Sequence, residues 1–87
     1  MTSPAGPEDL DAPPRFVLGS KVRARAAVRN DGSVPHVPVG DLLVEPGDLG
    51  YVRDIGSFLQ RFRIYEIDFI RSGRIIGMRA GELEPAD

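Results

Sequence analysis

The sequence predicts an all-β fold, a small five-stranded barrel of the SH3-like type. Short apolar segments recur roughly every 8 to 15 residues, and glycine or proline stands at nearly every junction between them. No apolar segment keeps a helical period for more than about one turn. The chain has 87 residues and no cysteine. It therefore forms one domain at most, held together by apolar packing without disulfides or thiolate-bound metals.

The two ends of the chain are expected to lie outside this domain. Residues 1–14 contain four prolines and three acidic residues, a composition typical of disorder. The barrel is expected to span residues 15–84, and residues 85–87 are expected to fray. No run of about 18 apolar residues is present to cross a membrane, so a cytoplasmic protein is expected.

The first strand is predicted from an alternation that starts after Gly19. Even-numbered positions from 22 to 28 are apolar, whereas positions 21, 23 and 25 are basic, as in a half-buried strand with a basic outer face. The cluster from Asn30 to Ser33 ends the strand because glycine and short polar side chains favour turns. Pro35 and Pro38 then remove backbone donors, which predicts an extended surface loop around His36.

Four further strands follow, separated by turn residues. They are predicted at residues 42–44, 50–55, 63–69 and 74–79. Gly50 and Gly56 bracket the second of these and indicate close backbone approach or bulges. Tyr65, Ile67 and Phe69 share one face of the third and are predicted to be core.

Two short elements complete the predicted domain. Ser72 and Gly73 stand between the last two strands and predict a tight hairpin, since glycine fits the turns of two-residue loops. Residues 81–83 are predicted to form one helical turn that covers the end of the barrel.

Charge divides the chain into a basic body and acidic tails. The net charge is −2, but residues 15–79 hold all eleven cations and seven of the thirteen acidic residues, a net charge of +4. Lys21, Arg23 and Arg25 line one face of the first predicted strand. Arg29 and Arg53 could extend this basic face. A basic face on a small barrel is one way to grip phosphates, so nucleic-acid binding by a KOW-like barrel is the alternative hypothesis.

The sequence offers no convincing catalytic set. His36 is the only histidine and has no partner at a spacing suited to general base catalysis or metal binding. Glu66 and Asp68 share the outer face of a predicted strand, where carboxylates are usually solvated or paired with a neighbouring cation. We therefore expect no enzyme activity, no catalytic or metal-binding residue and no cofactor.

Several short motifs in the chain resemble, in their order and spacing, the NifZ family of nitrogen-fixation accessory proteins. The resemblance runs from about Phe16 to Leu83. Its motifs are Val28-Arg29-Asn30-Asp31-Gly32-Ser33, Gly40-Asp41-Leu42-Leu43-Val44, Gly47 with Gly50-Tyr51-Val52-Arg53, Gly56-Ser57-Phe58-Leu59-Gln60, Ile64-Tyr65-Glu66-Ile67-Asp68-Phe69, and Gly77-Met78-Arg79 with Glu82-Leu83. Met78 stands where the family pattern has a cysteine, so this chain lacks whatever that thiol contributes.

The resemblance implies a non-enzymatic assembly factor. Its client would be the molybdenum-iron protein of nitrogenase or an assembly intermediate of it, during formation of the P-cluster. We expect no membrane partner, and nucleic acid is a partner only under the alternative hypothesis. Loops on a rigid barrel are where recognition concentrates, and two loops supply the predicted contacts. They are Arg29, Asn30, Asp31 and Gly32 on one loop and Ser57, Phe58, Leu59 and Gln60 on the other. Without cysteine, this chain would contact a cluster-bearing client without ligating the cluster through sulfur.

Overall fold

The structure, a computed structural model, describes residues 12–59 and 62–86, apart from the side chain of Phe58. Within these residues it contains β-strands and a single short 3-10 helix, and the all-β prediction is confirmed. The strands are β1 (Lys21–Ala24), β2 (Val28–Arg29), β3 (Leu42–Val44), β4 (Leu49–Phe58), β5 (Phe62–Phe69), β6 (Ile75–Met78) and β7 (Leu83–Pro85). The 3-10 helix spans Ala80–Glu82. Residues 1–11, most of the predicted disordered tail, lie outside the described residues.

The strands form two antiparallel sheets around one core. Five strands pair in the order β6-β5-β4-β1-β7, and β2 pairs with β3 in a separate two-stranded sheet. The sequence analysis expected a barrel. In the structure β6 and β7 are edge strands, so hydrogen bonding between strands does not close the sheet into a barrel. Leu43 and Val44 of the small sheet nevertheless belong to the same buried cluster as Val22 and Val52 of the large one.

The predicted first strand is divided between the two sheets, which corrects the single strand expected over residues 21–28. Ala24 bonds the β3–β4 turn through both backbone groups: its N–H donates to Asp48 O at 2.8 Å and its carbonyl accepts from Gly47 N at 2.8 Å. Arg25 N then donates to Glu82 O at 2.8 Å, so the chain turns a corner before Val28 pairs with β3. An alternating pattern shows that side chains alternate but not which sheet the backbone joins.

The core prediction on β5 is confirmed. Tyr65 and Ile67 are fully buried and Phe69 is 1% exposed. Phe16 packs its edge on the Tyr65 ring, with centroids 5.4 Å apart at an angle of 81°, and Arg15 N donates to Tyr65 Oη at 2.9 Å. The segment before β1 therefore covers one end of the core.

The root of β4 is closely packed against β5. A Cβ on Gly50 would lie 2.6 Å from Ile67 Cγ2 and 2.7 Å from Asp68 O, which is the close approach that the sequence indicated. The irregularity in β4 is elsewhere, between Val52 and Asp54, where one extra residue bends the strand.

The predicted two-residue hairpin between β5 and β6 differs from the structure. The β5–β6 connection is five residues long, residues 70–74. Phe69 N donates to Arg74 O at 2.9 Å, and Gly73, at φ +67°, donates to Phe69 O. At the C-terminal end, β7 includes Pro85. Pro85 pairs with Val22, and Ala86 N donates to Lys21 O at 3.1 Å.

Candidate protein-contact surface

The loop between β2 and β3 is organised by a buried asparagine. Asn30 is 2% exposed, and its Nδ2 donates to Val34 O at 3.0 Å and to Val37 O at 2.8 Å. Its Oδ1 accepts from Gly32 N at 3.0 Å and from Val34 N at 3.1 Å. Every hydrogen-bonding position used on this side chain is directed into its own loop. The sequence analysis placed Asn30 among the contact residues, but the structure places it inside the loop as its support.

The other predicted contacts on this loop are exposed. Arg29 Nη1 donates to Gly40 O at 3.0 Å, which ties the two sides of the loop together. The pKa of Asp31 is lowered, first by a hydrogen bond from the Ser33 side chain and then by the Ser33 N–H, which donates at 3.0 Å. Gly32 has a φ of +106°, which favours glycine there.

His36 does not lie in an extended segment. It adopts a φ of +68° inside a turn, and Val37 after it packs against the core. The expected extended loop is wrong here because the Asn30 side chain holds the carbonyls of Val34 and Val37 and folds the chain back. The positions of the two prolines predict an extended segment, but they carry no information about the hydrogen bonds from Asn30.

The tip of the β4–β5 hairpin carries the second group of predicted contacts. Ser57 is exposed and Leu59 has 69% of its surface exposed. Leu59 also adopts a φ of +55°, a left-handed conformation that costs a side-chain-bearing residue roughly 1–2 kcal/mol. Gln60 lies outside the described residues, and so does the side chain of Phe58. The tip therefore presents an apolar side chain on strained backbone.

A shallow groove lies beside this hairpin on the outer surface of β5 and β6. It has a volume of about 480 Å³ and is lined by Phe62, Ile64, Gly77, Met78, Arg79 and Glu82. The Arg79 guanidinium carbon stacks 3.9 Å from the centre of the Phe62 ring, a cation–π contact. Sequence analysis did not place Arg79 or Phe62 among the predicted contact residues. Their contact joins residues from β5 and from the segment after β6, so no local pattern marks it.

The cations of the alternative nucleic-acid face do not act as one group. Arg23 pairs with Glu84 of β7, with Nη1 3.3 Å from Oε2, and Arg29 bonds the Gly40 carbonyl. Lys21, Arg25 and Arg53 remain as the predicted phosphate contacts. Glu84 therefore interrupts the basic stripe at its centre.

Met78, which the sequence analysis placed where a cysteine was expected in the family pattern, is a core residue. It is 1% exposed and pairs with Tyr65 across β5 and β6. The Met78 side chain therefore packs in the core, where its thioether behaves as an apolar group.

The described part of the chain contains neither a group of side chains that could bind a metal ion nor a helix that could span a membrane. Across residues 12–59 and 62–86, no three His, Cys, Asp or Glu side chains lie close enough to hold a metal ion. In the same residues no helix is long and apolar enough to cross a bilayer.

Several known proteins and one protein-family model match the sequence of this chain. The family model described as the NifZ domain matches residues 13–85. The probable NifZ protein of Rhodobacter capsulatus is 54% identical over 65 residues, which cover 75% of this chain and 83% of that protein. Protein NifZ of Klebsiella pneumoniae is 49% identical over 72 residues, covering 83% of this chain and 49% of the relative. Protein NifZ of Azotobacter vinelandii is 44% identical over 70 residues, covering 80% and 44%.

This chain thus spans less than half the length of the Klebsiella and Azotobacter proteins. No solved structure matches it. The family match covers every strand described above and confirms the resemblance found in the sequence motifs. The chain belongs to the NifZ family of nitrogen-fixation accessory proteins.

Proposed function

We propose that this protein is a non-enzymatic, cytoplasmic accessory factor that contacts an immature form of the nitrogenase molybdenum-iron protein while its P-cluster is formed. Family membership supports the setting, nitrogen fixation. The observation that carries the mode of action is Leu59, which is 69% exposed at a hairpin tip and holds a left-handed backbone. Strained backbone clusters at functional sites and ligand clamps, and an exposed apolar side chain on such a backbone is suited to contact a partner.

The hairpin that carries Leu59 is suited to this task because its root is rigid and its tip is open. β4 and β5 pair from Gly50 opposite Phe69 out to Phe58 opposite Phe62. Gly50 leaves no space against β5, whereas a Cβ on Gly56 would meet nothing within 4 Å. A stiff hairpin presents an apolar tip with little loss of conformational entropy on binding.

The proposed contact with the client is centred on Ser57 and Leu59 at the hairpin tip. The β2–β3 loop is held together by its own hydrogen bonds and has a supporting role. Arg29, Asp31 and Gly32 stay predictions as secondary polar contacts. Asn30 supports that loop from within and would not touch the client. The cluster itself would be assembled on the client, whose own side chains would hold it.

Co-purification tests this proposal. A tagged, cluster-deficient molybdenum-iron protein should retain the wild-type chain, and Leu59→Asn should reduce retention about tenfold, because asparagine suits the left-handed backbone but removes the apolar contact. Leu18→Asn is the matched control, since Leu18 is 62% exposed and lies outside the hairpin. Failure of the wild-type chain to bind any immature form of that protein would refute the proposal.

A further inference from the structure

We propose that β6 and the groove beside it form a docking site for an extended, acidic segment of a partner protein, which adds to the sheet as a strand next to β6. This surface differs from the Leu59 tip. The unpaired edge of β6, the apolar groove beside it and the arginines at its two ends support this docking site, whatever the client of the Leu59 tip is.

The backbone of β6 is paired on one side only. In the described sheet, β6 has β5 as its single neighbour. Phe69 N donates to Arg74 O, and bonded pairs alternate along an antiparallel ladder. Given the register of Met78 opposite Tyr65, Ile76 and Met78 direct their backbone groups towards β5. Ile75 and Gly77 direct theirs outward, the arrangement that strand addition requires.

The groove supplies a place for side chains of an added strand. Its lining includes Phe62 and Ile64 of β5 and Gly77 of β6. Ile64 Cγ2 would lie only 2.9 Å from a Cβ at position 77, so the Ile64 side chain occupies the space beside the glycine and gives the groove an apolar lining. An apolar side chain of the incoming segment fits here.

The charge at both ends of β6 selects an acidic segment. Arg74 precedes the strand and Arg79 follows it, and β6 itself contains no acidic residue. Neither guanidinium group forms an ion pair with a carboxylate of residues 12–59 or 62–86. The Glu82 carboxylate, which lines the same groove, accepts the backbone N–H of Arg79 at 2.9 Å and does not pair with its guanidinium. Stacking on Phe62 holds the Arg79 guanidinium in place with its donors available.

Carboxylates on the neighbouring strand define where acidic residues of the segment would lie. Glu66 is opposite Gly77 and Asp68 is opposite Ile75, both on β5. An added strand would be about 10 Å from β5, two strand spacings away, but adjacent to β6. The segment should therefore carry acids at its ends, near Arg74 and Arg79, and apolar or neutral residues at its centre.

Nuclear magnetic resonance titration of the full chain tests the docking site. The probe is a synthetic, capped hexapeptide, Glu-Val-Thr-Val-Thr-Glu, and its charge-reversed counterpart carries lysine at both ends. We expect the acidic peptide to shift the amide signals of Ile75, Gly77 and Arg79 and to slow hydrogen exchange at Ile75 and Gly77. It should bind about tenfold more tightly than the lysine peptide, as charge complementarity at two ends requires.

Two variants separate a specific site from general attraction to a basic surface. Arg79→Gln should weaken binding of the acidic peptide about fivefold, whereas Arg53→Gln, at an exposed arginine on β4, should leave it unchanged. Equal binding of the two peptides, shifts that map away from β6, or an equal effect of the two variants would overturn the proposal. So would concentration-dependent self-association in sedimentation that protects Ile75 and Gly77 without peptide, because a second copy would then occupy the edge.

Discussion

The β2–β3 loop and the β4–β5 hairpin tip use their exposed positions in opposite ways. The loop turns its polar groups inward, where the Asn30 side chain makes four hydrogen bonds to it. The tip has no comparable internal support among its described residues and presents Leu59 on strained backbone. The two regions were equal candidates in the sequence. The difference teaches that a loop rich in turn residues can support itself from within, which is why we propose the short apolar tip as the contact with the client.

The largest expected effect is at Asn30. Asn30→Ala leaves the carbonyls of Val34 and Val37 without their side-chain donor in a partly buried loop, and should lower the free energy of unfolding by about 3 kcal/mol. Urea denaturation measures it. Ser33→Ala, on the same loop but exposed, should change stability by less than about 0.5 kcal/mol. Equal effects of the two variants would remove the distinction between scaffold and surface.

Two glycines on β4 sharpen the contrast between the root and the tip of the hairpin. Gly50→Ala places a Cβ against the backbone carbonyl of Asp68 and should cost about 2 kcal/mol. Gly56→Ala meets open space and should be neutral or stabilising by about 0.5 kcal/mol, because alanine restricts the unfolded chain. Thermal unfolding of both variants gives the comparison, and a costly Gly56→Ala would mean that the tip is as constrained as the root.

A smaller effect of opposite sign is expected at Leu59. Leu59→Asn relieves the left-handed strain and should raise the free energy of unfolding by about 0.5–1 kcal/mol. The same change should weaken association with the client, so stability and binding move in opposite directions. Leu18→Asn, at an exposed leucine without a positive φ, should change neither the free energy of unfolding nor the association with the client. A destabilised Leu59→Asn would show that this leucine serves packing.

The smallest effect is a pH dependence in the turn before β4. Asp48 accepts from Arg71 Nη2 at 2.8 Å and Nε at 3.0 Å, and this pairing holds the pKa of Asp48 below its ordinary value. A lowered folded-state pKa contributes stability above the unfolded-state pKa of about 3.9. That contribution is lost as the pH falls through the folded-state value.

Arg71→Gln tests this pairing. Its stability should fall below that of the wild type at pH 7 and converge with it at low pH, as followed by urea denaturation across pH. Arg74→Gln, which removes a neighbouring arginine without an ion pair in the described residues, should show no such convergence. A difference for Arg71→Gln that persists unchanged at low pH would contradict the assignment to Asp48.

Much of the fold was predictable because strand alternation and turn residues are local signals. Tyr65, Ile67 and Phe69 were identified as core from their period alone. The corner between β1 and β2 was not predictable from the sequence. Ala24 and Arg25 form backbone hydrogen bonds there with Gly47, Asp48 and Glu82, which are distant in sequence. Sequence alternation continues unbroken across that corner.

The exposure of the candidate contact residue Leu59 was predictable for the same reason. Adjacent large apolar residues at a strand junction point to opposite sides, so at least one of them can be exposed. The role of Asn30 was hidden, since a turn-forming asparagine and a buried loop support have the same sequence signature. The stacking of Arg79 on Phe62 depends on two segments that only the folded chain brings together.

Hydroxyl-radical footprinting of the complex with the immature molybdenum-iron protein tests the central claim most directly. Leu59 and Val39 are matched probes, because they are 69% and 74% exposed in the free chain and lie on the hairpin tip and the β2–β3 loop respectively. We expect complex formation to lower the oxidation rate of Leu59 severalfold and that of Val39 much less. Protection of Val39 with Leu59 still fully reactive would contradict the claim.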